Sequence, residues 1–189
     1  MYIYNNHYIM EQEKGYLQIY TGNGKGKTTA AFGLALRGVC SGKNVYIGQF
    51  VKSMAYHENR LTELLAHADD SFGELTIELL GRGCFITHRP DPVDIELAQA
   101  AFARCAELLT TDRYDVIILD ELSIALYFGL IPVAEVVDAL RQRNPRVEVV
   151  ITGRKAPQAL VDVADLVTDM QEVKHYYQQG VLSRDGIDR

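Results

Sequence analysis

The residues best suited by type and spacing to do chemistry are Gly22-Asn23-Gly24-Lys25-Gly26-Lys27-Thr28-Thr29. Glycines let successive backbone N–H groups turn inward around phosphate oxygens. A helix that starts here adds its unsatisfied N–H groups and the positive end of its dipole. Lys27 supplies a cation for the terminal phosphates, in what reads as a solvent-facing site, and Thr28 offers a hydroxyl to Mg²⁺. The run lies between a predicted strand and a predicted helix, the context a phosphate-binding loop requires. The usual spacing places glycine five residues before Gly26, where this chain has Thr21, so the loop is one residue tighter. The competing reading is a glycine-rich turn that merely joins strand to helix.

A second candidate is Asp120-Glu121, at the end of the apolar run Val116-Ile117-Ile118-Leu119. A buried strand that delivers carboxylates at its carboxyl end can present a metal partner to a phosphate loop. Asp120 or Glu121 could bind Mg²⁺ directly or through water. The competing reading is an acidic pair that opens the next helix.

Other segments carry weaker signals. Arg154 and Lys155 follow another strand end and could reach a phosphate, or could form a solvated turn. The stretch Gly81 to Pro90 mixes glycine, apolar and basic residues and could wall a pocket or simply connect elements. Cys84 within it reads as an inert small hydrophobe. Tyr127-Phe128 reads as core packing or as a stacking surface. His175 reads as a surface or capping residue.

The elements that must position these residues follow from hydrophobic periodicity. Strands are predicted at 16–20, 45–51, 75–80, 116–119, 147–151 and 166–170. Helices are predicted at 28–40, 57–68, 92–109, 132–143 and 157–163. This alternation predicts an α/β fold with a mostly parallel sheet covered by helices. Residues 15–189 read as one domain. Residues 1–14 read as an extension, either flexible or contacting a partner subunit, and the chain beyond about Gln178 reads as peripheral.

Composition sets the outer limits. The 189 residues are 48% hydrophobic and 23% charged, which excludes disordered and fibrous classes. A net charge of −6 argues against bulk binding to nucleic acid or anionic membranes. No apolar run nears the roughly 20 residues that span a bilayer. Cys40, Cys84 and Cys105 are widely spaced and odd in number, which fits reduced thiols in the cytoplasm. The histidines show no zinc-binding spacing.

Taken together, four segments resemble the P-loop-type ATP:corrinoid adenosyltransferases. They are GNGKGKTTAAFGLALR, the strand ending DEL, TGRKAPQALVDVADLVTDM and EVKHYYQQG. The resemblance implies a RecA-like three-layer fold and a homodimer. It implies transfer of the 5′-deoxyadenosyl group of ATP to the Co(I) of a corrinoid, with release of triphosphate. The corrinoid would be cobalamin, cobinamide or cobyrinic acid a,c-diamide, in cobalamin synthesis or salvage. A separate flavin-dependent donor would reduce the cobalt. ATP would lie reversed on the loop, with its γ-phosphate where other such proteins hold the α-phosphate.

On the same resemblance, Gly22, Asn23, Gly24, Lys25, Gly26, Lys27, Thr28 and Thr29 would hold ATP. Glu121 would help bind Mg²⁺ with Thr28, and Arg154 is a further phosphate ligand. Some members carry Gly-x-Gly-Phe-Thr-Trp, whose aromatics displace the lower cobalt ligand. This chain has Gly81-Arg82-Gly83-Cys84-Phe85-Ile86 and no Trp, so Phe85 is the candidate, shifted by one position. Because the nucleophile belongs to the corrinoid, the protein needs none of its own. Two other classes compete: a P-loop kinase or ATPase acting at phosphorus, and a non-catalytic nucleotide switch.

Overall fold

A computed structural model describes residues 14–52, 56–81 and 90–188. The expected extension at 1–14 lies outside these residues except for Lys14, as do Cys84 and the candidate Phe85.

Six parallel strands form one sheet. They are β1 (Leu17–Thr21), β2 (Val45–Gln49), β3 (Leu75–Leu79), β4 (Val116–Asp120), β5 (Glu148–Thr152) and β6 (Leu166–Asp169). Their order is β3-β2-β4-β5-β1-β6, and every pairing is parallel. β2 and β4 are buried at every position, which is why both read as continuous apolar runs with no alternation.

Helices cover both faces. They are α1 (Lys27–Cys40), α2 (Leu61–Leu65), α3 (Pro92–Leu109), α4 (Leu122–Tyr127), α5 (Val133–Gln142) and α6 (Gln158–Val161). The pleat sorts the strand side chains between two cores. Val116, Ile118 and Val150 pack with Ala31, Phe32 and Ala35 of α1, joined by Leu61 and Leu65 of α2. Ile117, Leu119, Val149 and Ile151 pack on the opposite face with α3, α4, α5 and Leu160 of α6. The result is the expected three-layer α/β arrangement.

Capping explains the sharpest boundary. Asp91 accepts from the backbone N–H of Asp94 at 2.8 Å, and Pro92 sits at the first position of α3. Two expectations shift. The predicted helix 57–68 is a 3₁₀ turn at His57–Arg60 followed by the short α2. Asn59 accepts from the Tyr56 N–H and donates to Gln49 Oε1 at 2.7 Å, which ties this turn to the end of β2. Helix α4 was not expected, because its six residues are too few to show a helical period. Cys105 is buried against Tyr46, and burial pushes its thiol up to about 11, so it is inert.

Candidate active site

Three strands bring their carboxyl ends together beside the glycine loop. β1 leads into the loop, β4 ends on Asp120 and β5 ends on Thr152, and β5 lies between the other two. This is the edge of an open parallel sheet where ligands bind.

The loop owes its shape to contacts with the chain after β6. Gly22 and Gly26 adopt φ values of 96° and 117°, conformations that favour glycine. The Gly24 N–H donates to the Met170 carbonyl at 2.7 Å. A Cβ at Gly24 would lie 2.7 Å from the same oxygen and 2.8 Å from the Gln171 carbonyl. Gly24 therefore provides clearance for a neighbouring backbone, and its N–H is committed to protein. Lys27 is buried rather than solvent-facing. Its ammonium donates to the carbonyls of Gly22 at 2.8 Å and Gly24 at 2.6 Å. Burial, and then the nearby charge of Arg154, lower its pKa, while Glu121 and Asp169 oppose the shift.

Asp120 is wholly buried and fully engaged. Its Oδ1 accepts from Thr28 Oγ1 at 2.9 Å and from Thr152 Oγ1 at 2.6 Å. Its Oδ2 accepts from Lys52 Nζ at 2.7 Å and from Gln49 Nε2 at 3.1 Å. A buried carboxylate is tolerated only with such partners. Because Thr28 donates its proton to Asp120, its oxygen lone pairs remain for another ligand. Asp120 thus orients Thr28, and four protein donors already occupy it.

Glu121 is built differently. Its backbone sits in the left-handed region at φ 60°, an uncommon conformation for a side chain with a Cβ. The backbone N–H donates to Thr152 Oγ1 at 2.9 Å, which holds the turn between β4 and α4. Glu121 both precedes α4 as its N-cap residue and lines the cavity. Burial, followed by the charge of Asp120, raises its pKa, and Lys52, Lys27 and Arg154 oppose this.

These groups line a cavity of about 540 Å³. One side is the loop from Lys25 to Thr29. Val51, Tyr56, Ile124 and Phe128 add apolar and aromatic lining. Lys52, Glu121, Arg154 and Asp188 complete it. Of the predicted ligands, Lys25, Gly26, Lys27, Thr28, Thr29, Glu121 and Arg154 meet here, whereas Gly22, Asn23 and Gly24 do not line the cavity. Lys155 instead stands over the Tyr127 ring, 5.6 Å from its centre. Phe128 joins the cavity wall rather than the core.

Sequence reasoning missed Lys52, Gln49, Thr152 and the last described segment. Thr152 ends β5 beside the loop strand and Lys52 follows β2 on the far side of β4, and only the strand order brings them together. The chain beyond Gln178 is not peripheral. Lys25 donates to the Ile187 carbonyl at 2.5 Å and pairs with Asp188 at 3.0 Å. Asp188 also accepts from Tyr176 and from Arg184, so its carboxyl is held well below the usual range. His175 accepts from the Tyr177 N–H, the capping role expected of it.

A six-stranded parallel sheet in three layers, with a glycine loop opening α1 and an acidic strand end beside it, defines the P-loop NTPase-like class. Residues 13–188 match the family model described as ATP:corrinoid adenosyltransferase BtuR/CobO/CobP. The corrinoid adenosyltransferase of Sinorhizobium sp. is 37% identical over 179 residues, covering 93% of this chain and 81% of that protein. Corrinoid adenosyltransferase CobA of Salmonella typhimurium is 33% identical, covering 94% of this chain and 87% of that protein. The Pseudomonas aeruginosa corrinoid adenosyltransferase is 32% identical, with coverages of 93% and 84%. The chain belongs to the ATP:corrinoid adenosyltransferase family.

Proposed function

We propose that this chain transfers the 5′-deoxyadenosyl group of ATP to the Co(I) of a corrinoid and releases triphosphate. The observation that carries the reading is the make-up of the cavity. Its lining combines a cationic loop with apolar and aromatic side chains, and no Ser, Cys or His is among its described lining residues. Such a site suits positioning and charge neutralisation, with the nucleophile supplied by a substrate.

The residues divide the work by chemistry. The start of α1 and Lys27 take the phosphate chain. Arg154 adds charge from the turn after β5. Tyr56 and Phe128 offer apolar faces to the nucleoside or the corrinoid. Mg²⁺ fits beside Thr28 and Glu121. Thr28 presents lone pairs because Asp120 takes its proton, and among the described residues no group hydrogen-bonds to the Glu121 carboxylate. Of the two acidic candidates Glu121 is the direct ligand, and Asp120 serves through Thr28. When bound, the ion would neutralise part of the triphosphate charge.

The remaining features follow the family resemblance: ATP reversed on the loop, a flavin-dependent electron donor, a homodimer and a cytoplasmic location. Residues 15–189 form one domain in this reading, with 1–14 as an extension. The test is anaerobic incubation with ATP, Mg²⁺ and chemically reduced cobalamin. Loss of the Co(I) absorbance with formation of a light-sensitive Co–C product is expected. Stable Co(I) over many times the turnover period of an active preparation would overturn the reading.

A further inference from the structure

We propose that Lys52 is a catalytic residue that meets the phosphate oxygen departing from C5′. The inference rests on the adenosyl-transfer reading and adds a residue that lies in none of the motifs quoted above. Lys52 follows β2 and lines the cavity beside Val51. Its side chain is only 12% exposed, and its ammonium reaches across to Asp120 Oδ2 at 2.7 Å. The other oxygen of that carboxylate accepts from Thr28 of the loop at 2.9 Å. Lys52 and Thr28 are thus held on the two oxygens of one fixed group. The ammonium is thus fixed on the lining of the cavity that the phosphate loop shares.

An ammonium has three N–H donors, and Asp120 takes one. Among the described residues, its other neighbours include Glu58, whose carboxylate oxygen is 4.0 Å away, and the face of Tyr56, 5.0 Å from the ring centre. Neither is a hydrogen-bond acceptor at that range. Lys27 donates to two loop carbonyls and keeps one N–H for the phosphate chain. A cation fixed on this lining suits the one bond that the reaction must break. The Co(I) electron pair forms the Co–C bond to C5′. The C5′–O bond breaks, and its electron pair stays on the α-phosphate oxygen. That oxygen gains charge only as the bond breaks, so a donor aimed at it stabilises the transition state more than bound ATP.

Inorganic triphosphate carries that oxygen as a free charged group, whereas ATP carries it as an ester. The test compares the affinities of inorganic triphosphate and ATP by calorimetry in the wild type, Lys52→Met and Lys52→Arg. Lys52→Met should weaken triphosphate binding about tenfold or more and ATP binding less than about threefold. Lys52→Arg, which keeps the charge, should retain most of the triphosphate affinity. Each comparison is a ratio within one preparation, so a partial loss of folded protein cancels. Equal losses for both ligands, or no loss for either, with an active wild type would overturn the role of Lys52. A wild type that forms no adenosylcorrinoid would overturn the adenosyl-transfer reading itself.

Discussion

Adjacent carboxylates do different work in this site because their surroundings differ. Asp120 accepts four hydrogen bonds and is a fixed anchor for Thr28 and Lys52. Glu121 is buried beside that anion without such donors among the described residues, and burial raises its pKa above the ordinary 4.5. A carboxyl whose pKa is raised by folding binds its proton more tightly in the native state. Its contribution to stability is therefore present at low pH and is lost as pH climbs through the interval between 4.5 and the raised value. At neutral pH the ionised group is a local cost, of the kind active sites carry. Glu121→Gln should melt higher at neutral pH, by about 1 kcal/mol or roughly 2–4 °C, while its Mg²⁺ requirement weakens. Thermal melts at pH 4 and pH 7 check the sign, since the gain should shrink at the lower pH. A lower melting temperature at neutral pH would show that Glu121 is stabilising and contradict this account.

At the scale of elements, the loop is shaped by β6 as much as by β1. Gly24 donates to Met170, and a Cβ there would strike the Met170 and Gln171 carbonyls. Gly24→Ala should force the loop from the end of β6 and cost about 1–3 kcal/mol. Its ATP affinity should fall with it, by about tenfold or more. Urea unfolding and ATP titration check both effects, and normal values would show that the seam yields without consequence. This seam also marks the limit of what the sequence discloses. The loop, β4 and α3 were legible because glycine spacing, an unbroken apolar run and an Asp-Pro cap are local signals. α4 spans six residues and left no period. Lys52 and Asp188 lie in no quoted motif, and Thr152 opens one without a sign of its role; they reach the site through strand order and a chain reversal over the loop. Lys27 read as open to solvent because its tie to its own loop carbonyls leaves no mark in the sequence.

At the scale of the molecule, a chain of net charge −6 concentrates Lys25, Lys27, Lys52 and Arg154 around one cavity. Local charge, not the overall balance, decides what binds there. The parallel sheet sets this pattern by gathering the ends of β1, β4 and β5 at one edge, while two apolar cores hold the layers rigid behind them. A rigid frame can hold a reacting carbon in line with a nucleophile it does not supply. The same cationic loop could serve phosphoryl transfer, so the bond that breaks is the point on which the account turns. The direct measurement is the identity of the phosphate product during anaerobic turnover with ATP, Mg²⁺ and Co(I) cobalamin. Attack at C5′ predicts one inorganic triphosphate for each Co–C bond formed. ADP with orthophosphate, and no triphosphate, would place the cleavage at phosphorus and contradict the central claim.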